Sequence, residues 1–304
     1  MSDTKAQPTT TTEVSMRATP TELFPFRTAS EWEAHVRWRA VVNTQQSAAD
    51  LLREVMGAPI DKLEDLLFRG QRVTAADQIV AQSLRILNSL ATSVQRLQWV
   101  QERYRKHQVM VSTLKDIRAL SLDEIGRTLP AFDHAYDLAA GVSGGLTGAF
   151  GIPGAVTGLP VLLFVALHAI GSHAYHFGHD LSEREEQEFA VLLLIAGLVN
   201  RPSQRSPVIE RLEDLAYHLE RDATHAAAEQ NAVAILENVA EAIALRLLLG
   251  LLVRSWPGIG LLLGAGYSRA LVNHICTLSL AAYQQRWLFR AYGDAARIAT
   301  QQRV

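Results

Sequence analysis

Apolar positions along this chain recur every three or four residues, and polar residues between them mark where helices start and stop. Val80, Leu84, Leu87, Ala91 and Val94 follow a 4-3-4-3 spacing, the stripe of a packed bundle helix, and predict a long helix over residues 74–107. Ser30-Glu-Trp-Glu33 has the pattern of a capping box and opens a predicted helix over 30–56, ahead of Gly57-Ala-Pro59. A short helix is expected over 60–68. Ser121-Leu-Asp-Glu124 and Ser182-Glu-Arg-Glu185 repeat the box, and the second should open a helix reaching about Val199. Asn200-Arg-Pro-Ser-Gln-Arg-Ser-Pro207 reads as a turn-rich linker. Helices are then predicted over 207–253, with a break near Ala223 and Thr224, and over 259–301. No stretch alternates with period two over the length of a strand, and no repeat is visible. The pattern implies an all-α protein with a single multi-helix, bundle-like domain. Residues 1–20 read as a disordered polar tail, 21–73 as an N-terminal helical extension and 74–304 as the main helical domain.

One segment breaks the even distribution of charge. Residues 138–179 contain no Asp, Glu, Lys or Arg, and residues 141–158 hold seven glycines. Gly144, Gly148 and Gly151 recur at helical spacing, which gives a smooth face for close helix approach. A phosphate loop is excluded, because no strand precedes the glycines and no Gly-Lys-Ser/Thr follows. The segment reads as a glycine-faced helix, a turn at Pro153-Gly154 and an apolar helix beginning Gly158-Leu-Pro160 and carrying Phe164.

Neither arm makes a clean membrane span, which takes about 20 apolar residues. The first arm is too short, and the second ends in His168, Ser172, His173, His176 and His179. The run 243–253 is interrupted by Arg246 and closed by Arg254. Burial, or shallow insertion, fits this pattern better than crossing.

Composition narrows the partners. The net charge of -2 gives no bulk attraction to nucleic acid. The lone Cys276 excludes an intramolecular disulfide and suits a reducing cytoplasm, and the polar N-terminus lacks the apolar core of a signal peptide. With a mean hydropathy of +0.06, the chain lies at the apolar end of soluble proteins.

The order of motifs is specific. Gly158-Leu-Pro160 is followed by Phe177-Gly178, by an acidic helix ending Ala196-Gly197, and by Trp256-Pro-Gly-Ile-Gly-Leu-Leu-Leu-Gly-Ala-Gly266. A helix through Ala281-Ala-Tyr283, Arg286 and Phe289-Arg-Ala-Tyr-Gly293 closes the series. Over about residues 75–295 this resembles the EcsC family. The resemblance implies a helical fold, with the two Gly-rich blocks packed centrally, and an association with membrane or lipid. It brings no catalytic residues. Family members carry an acidic residue before the Leu-Pro and an arginine about ten residues on, where this chain has Gly158 and His168.

The resulting candidates for lipid or membrane contact are Gly144, Gly148, Gly151, Pro153, Leu159, Pro160, Phe164, Trp256, Pro257, Gly260 and Gly264. The leading expectation is a cytoplasmic protein, peripheral at the inner face of the membrane, that binds lipid or a membrane protein and needs no cofactor. A second reading is a metal-dependent hydrolase using His173, His176 and His179 together with Asp214, His218, Asp222 and His225, which share one helical face. Against it, the three histidines read as polar tips of an apolar helix emerging into water, and the second stripe, with Glu220 beside it, reads as a solvated face. A third reading is a membrane-permeabilising effector or an interaction scaffold.

Overall fold

The computed structural model describes residues 25–43, 95–129, 151–199, 202–221 and 260–301, and among these every regular element is a helix. In chain order they are α1 (Ala29–Asn43), α2 (Gln95–Lys106), α3 (Leu114–Arg118), α4 (Leu122–Thr128), α5 (Gly151–His176), α6 (Arg184–Leu198), α7 (Pro202–Glu220), α8 (Gly260–Tyr292) and α9 (Asp294–Gln301). The expected all-α class holds.

The centre of the structure is α6. Every residue from Phe189 to Val199 is buried, so this helix is apolar on all sides and must be enclosed. It packs against α5, α7 and α8. Gly197 sets its closest approach, since a Cβ there would lie 2.7 Å from Ile275 Cγ1 on α8. α8 also packs against α5 and α1, so the helices carrying the described parts of both Gly-rich blocks lie side by side. α1 is fixed to this frame by Trp38, which is 2% exposed and donates from Nε1 to Glu213 at 2.9 Å. Burying a large apolar side chain of this kind is worth roughly 2–3 kcal/mol.

Local signals were partly displaced. The box expected at Ser30 forms two residues earlier: Glu31 Oε2 accepts from the Thr28 amide at 3.0 Å and from the Arg27 amide at 2.7 Å, and the Glu31 amide donates to Thr28 Oγ1 at 3.2 Å. Ser30 instead donates to Asp123 on α4. Ser121–Glu124 forms the expected box, and a further one joins Thr113 to Asp116. At the start of α6 the N-cap is Glu183, with no side-chain cap, and Asp180 Oδ1 takes the Ser182 amide at 2.9 Å.

The expected linker at 200–207 is mostly helix. α7 starts at Pro202, where a missing amide hydrogen costs nothing, and continues through Pro207. α5 likewise begins at Gly151 and runs through Pro153-Gly154, so no turn separates it from the apolar helix. The final helix is broken rather than continuous, because Gly293 takes φ +55 between α8 and α9. The tail, the helix at 60–68, the first part of the 74–107 helix and the break near 223 lie outside the described residues.

Candidate functional site

The C-terminus of α5 turns a histidine into the core. Gly178 adopts φ +80, a backbone conformation that side chains resist, and a Cβ there would lie 2.4 Å from the Leu114 carbonyl oxygen. The Gly178 amide donates to the Tyr175 carbonyl at 3.1 Å and the His179 amide to that of Ala174 at 2.9 Å, a Schellman ending. His179 leaves this turn pointing inward and is 2% exposed.

It enters a buried cluster of charge. Arg286 on α8, wholly buried, donates from Nη1 and Nη2 to the two oxygens of Glu186 on α6, each at 2.6 Å. Its Nε also donates to Oε1 of Glu220, the last residue of α7, at 2.9 Å. Arg118 Nη2 meets Glu220 Oε2 at 2.9 Å, and Arg290 Nη1 approaches that oxygen to 3.7 Å. The Arg286 guanidinium lies 4.6 Å from the Phe189 ring centre and 5.7 Å from that of Tyr283. His179 Nδ1 stands 3.2 Å from Glu186 Oε1 and Nε2 3.8 Å from Glu220 Oε1, but neither nitrogen is aligned for a hydrogen bond.

The electrostatics follow from that geometry. Burial pushes the Glu186 carboxyl up, but Arg286 and then His179 outweigh it and hold the group well below the usual carboxylate range. Glu220 behaves alike, with burial opposed by Arg286, His179, Arg118 and Arg290. Burial works against the Arg286 charge, and the two glutamates more than restore it. His179 is pushed down by burial and then by Arg286, against the pull of both glutamates, and stays neutral near pH 7. Ionised glutamates sealed around a guanidinium have no proton to give and no open face for a substrate. The cluster acts as a lock between α3, α6, α7 and α8.

The two other histidines of the apolar helix go elsewhere. His173 Nδ1 lies 3.1 Å from Ser279 Oγ on α8. His176 stacks on Tyr104, with ring centres 5.0 Å apart, and its Nε2 is 2.6 Å from Thr128 Oγ1. The Thr128 hydroxyl also lies 2.7 Å from the Ile125 carbonyl, and with its hydrogen given there it accepts from His176 Nε2. Burial lowers the pKa of His173 to about 4 and that of His176 to about 3. These side chains do not emerge into water, as the sequence suggested; all three are buried, and they point to three different partners.

Asp214 pairs with Arg297 at 2.8 Å, and His218 lies against Tyr217, while Asp222 and His225 fall outside the described residues. Among the described residues no group of three or more His, Cys, Asp or Glu is arranged to hold a metal ion. Between Glu186 and Glu220 the position a cation would take is filled by Arg286. The hydrolase reading finds no support in this arrangement.

Of the lipid-contact candidates, Gly144, Gly148, Trp256 and Pro257 fall outside the described residues. Gly151, Pro153, Leu159 and Pro160 lie in the first half of α5, and Gly260 and Gly264 in the first turns of α8. Phe164 is 45% exposed, between the buried Leu163 and Val165. Among the described residues, no helix is long and apolar enough to cross a membrane.

Glu186, Glu220, Arg118 and Arg286 were not legible as a unit. Glu220 in particular reads as part of a solvated face, yet its side chain is fully buried. The available signal was Glu186 three residues before Phe189, and Arg286 three after Tyr283, both on faces that otherwise carry core residues.

The sequence pattern of the EcsC protein family matches residues 32–288, starting well before the motifs at 75–295. Neither the curated proteins nor the solved structures provide a match.

Proposed function

This chain belongs to the EcsC protein family, and from that premise we propose that it works at a membrane surface, holding a lipid or a membrane protein against its uncharged block. The supporting observation is Phe164. It stands 45% exposed on a helix that has no charged residue over Gly151–His176, while Leu163 and residues 165–167 beside it are buried. An aromatic ring left half in water on such a helix gains roughly 1 kcal/mol when an apolar phase covers the exposed part, about half the value for full burial. That is too little for stable anchoring by one side chain, so the reading assigns further contact to the Gly-rich stretch and to Trp256, Pro257, Gly260 and Gly264.

α2, which packs on α5, adds a second contact of the interfacial kind. Trp99 is 46% exposed there, with the Arg103 guanidinium 5.8 Å from its ring centre. A Trp with a basic neighbour suits the boundary between headgroups and acyl chains. The protein would then lie on the inner face of a membrane without crossing it.

The test is co-sedimentation of the full chain with vesicles of anionic and of neutral lipid. Binding that Phe164→Glu and Trp256→Ala weaken at least fivefold supports the reading. Failure to bind vesicles of any composition removes it.

A further inference from the structure

A cleft of about 510 Å³ opens between α1 and α4, with its floor on α8 and α5. This volume is typical of small-molecule sites. Its two walls repeat one arrangement: Glu33 and Arg37 stand one turn apart on α1, and Asp123 and Arg127 stand one turn apart on α4. The floor supplies Leu280, Gln284 and His173.

Several features hold the cleft in shape. Gln284, 7% exposed, accepts from Arg37 Nη1 at 2.7 Å and fixes that guanidinium against the floor. Ser30 donates to Asp123 and ties the two walls together at one edge. His173 is 1% exposed and uncharged at neutral pH, so it adds a polar contact without altering the charge balance.

Gly126 is the second, independent observation. It lies inside α4, where glycine costs about 1 kcal/mol relative to alanine. Yet a Cβ at this position would meet no atom within 4 Å. Packing among the described residues therefore does not require a glycine here. What its missing side chain does is widen the cleft that Gly126 lines.

Two guanidiniums and two carboxylates above a floor of Leu280, Gln284 and His173 match a ligand carrying both signs of charge. Guanidinium groups recognise phosphate through paired hydrogen bonds, and the carboxylates suit an ammonium group. A short carbon chain between the two would lie over Leu280. We propose that this cleft binds a small zwitterion in which a phosphate and an ammonium group are joined by a short carbon chain, as in ethanolamine phosphate, either free or as a phospholipid headgroup.

The site does not depend on the membrane reading, and calorimetry with the full chain separates the two. Ethanolamine phosphate, inorganic phosphate and ethanolamine are titrated singly, with phosphatidylethanolamine vesicles as a further arm. Saturable binding of ethanolamine phosphate, at least tenfold tighter than of either fragment, is expected, as is a tenfold loss in Gly126→Phe and in Arg127→Gln. Glu33→Gln should weaken ethanolamine phosphate but leave inorganic phosphate unchanged. Binding to the vesicles alone, abolished by Gly126→Phe, assigns the headgroup as the source. Phe164→Glu should remove vesicle binding through the apolar block and leave the soluble zwitterion bound. Glu33 and Arg127 are exposed, so their variants report even if Gly126→Phe melts at a lower temperature. The proposal is overturned if neither ethanolamine phosphate nor the vesicles bind saturably, or if binding is unchanged in both Gly126→Phe and Arg127→Gln.

Discussion

The longest uncharged stretch of this chain and the most heavily charged spot described in its interior are joined by one glycine. On the N-terminal side of Gly178, α5 has no Asp, Glu, Lys or Arg. On the other side, His179 enters a cluster of two glutamates and three arginines. In α5 it is the composition that stands out, while burial of its second half is what its residues would do anyway. In the cluster each residue type is ordinary for a surface, and the burial stands out. An unusual composition is visible in one dimension. An unusual burial needs four helices to meet.

That contrast can be broken most severely at Arg286. Arg286→Met leaves two buried carboxylates without their main partner and should cost about 3–5 kcal/mol in urea unfolding. Combining it with Glu186→Leu and Glu220→Leu should restore part of the loss, because the two carboxylates go with the guanidinium and only Arg118 and Arg290, both partly exposed, lose a partner. A triple variant that stays as unstable as the single one would show that the cluster does more than lock helices together.

Gly178→Ala attacks the junction itself. A side chain at φ +80, against the Leu114 carbonyl, should cost on the order of 3 kcal/mol and lower the melting temperature. If its stability matched the unaltered protein, the turn would not be what holds His179 in place.

Acid should act on both regions at once. His35 and His173 have folded pKa values of about 4 and His176 of about 3, all below the ordinary 6.5, chiefly through burial. The unfolded chain therefore binds more protons than the folded one below pH 6.5. Their stabilisation is complete above that pH and is lost as pH falls towards 4. Glu186 and Glu220, also lowered in the folded state, add to the loss below the usual carboxylate range. The urea midpoint should thus fall between pH 7 and 5, ahead of the loss from Glu186 and Glu220. A flat midpoint over that range would contradict the burial of the histidines.

Gly197→Ala should cost about 1–3 kcal/mol, because the methyl group meets Cγ1 of the buried Ile275, a stiff β-branched side chain. Ile275→Ala, which removes Cγ1, should cost less in that background than in the unaltered protein. Phe164→Glu belongs at the bottom of the scale, within about 0.5 kcal/mol in stability, since the side chain is half in water. Its effect should appear in vesicle binding, which sharpens the division between core and surface along a single helix.

The helical class, the box at Ser121 and the family were legible because each rests on neighbours in sequence. Thr28 took the cap from Ser30 because Glu31, not Glu33, faces the end of α8, where Tyr292 donates to it at 2.6 Å. Pro202 and Pro207 read as breakers, but the first sits where α7 starts and the second just beyond its first turn. The histidines read as a metal motif or as wet tips because spacing reports a shared face and not what opposes it. Here Ser279, Thr128 and the two glutamates oppose them, from positions as far as 106 residues away. The cluster was invisible for the same reason.

The hydrogen bond between Glu31 and Tyr292 spans 261 residues and has a consequence for how the protein is made. Among the described residues α1 packs chiefly on α8, so the first described helix has to wait for the last long one before it can dock fully. Closing so wide a loop costs conformational entropy that no local contact repays in advance. A growing chain halted before residue 260 would expose the α8-facing sides of α1, α5, α6 and α7 together. Synthesis of α8, rather than of any helix before it, is then the event that covers these faces.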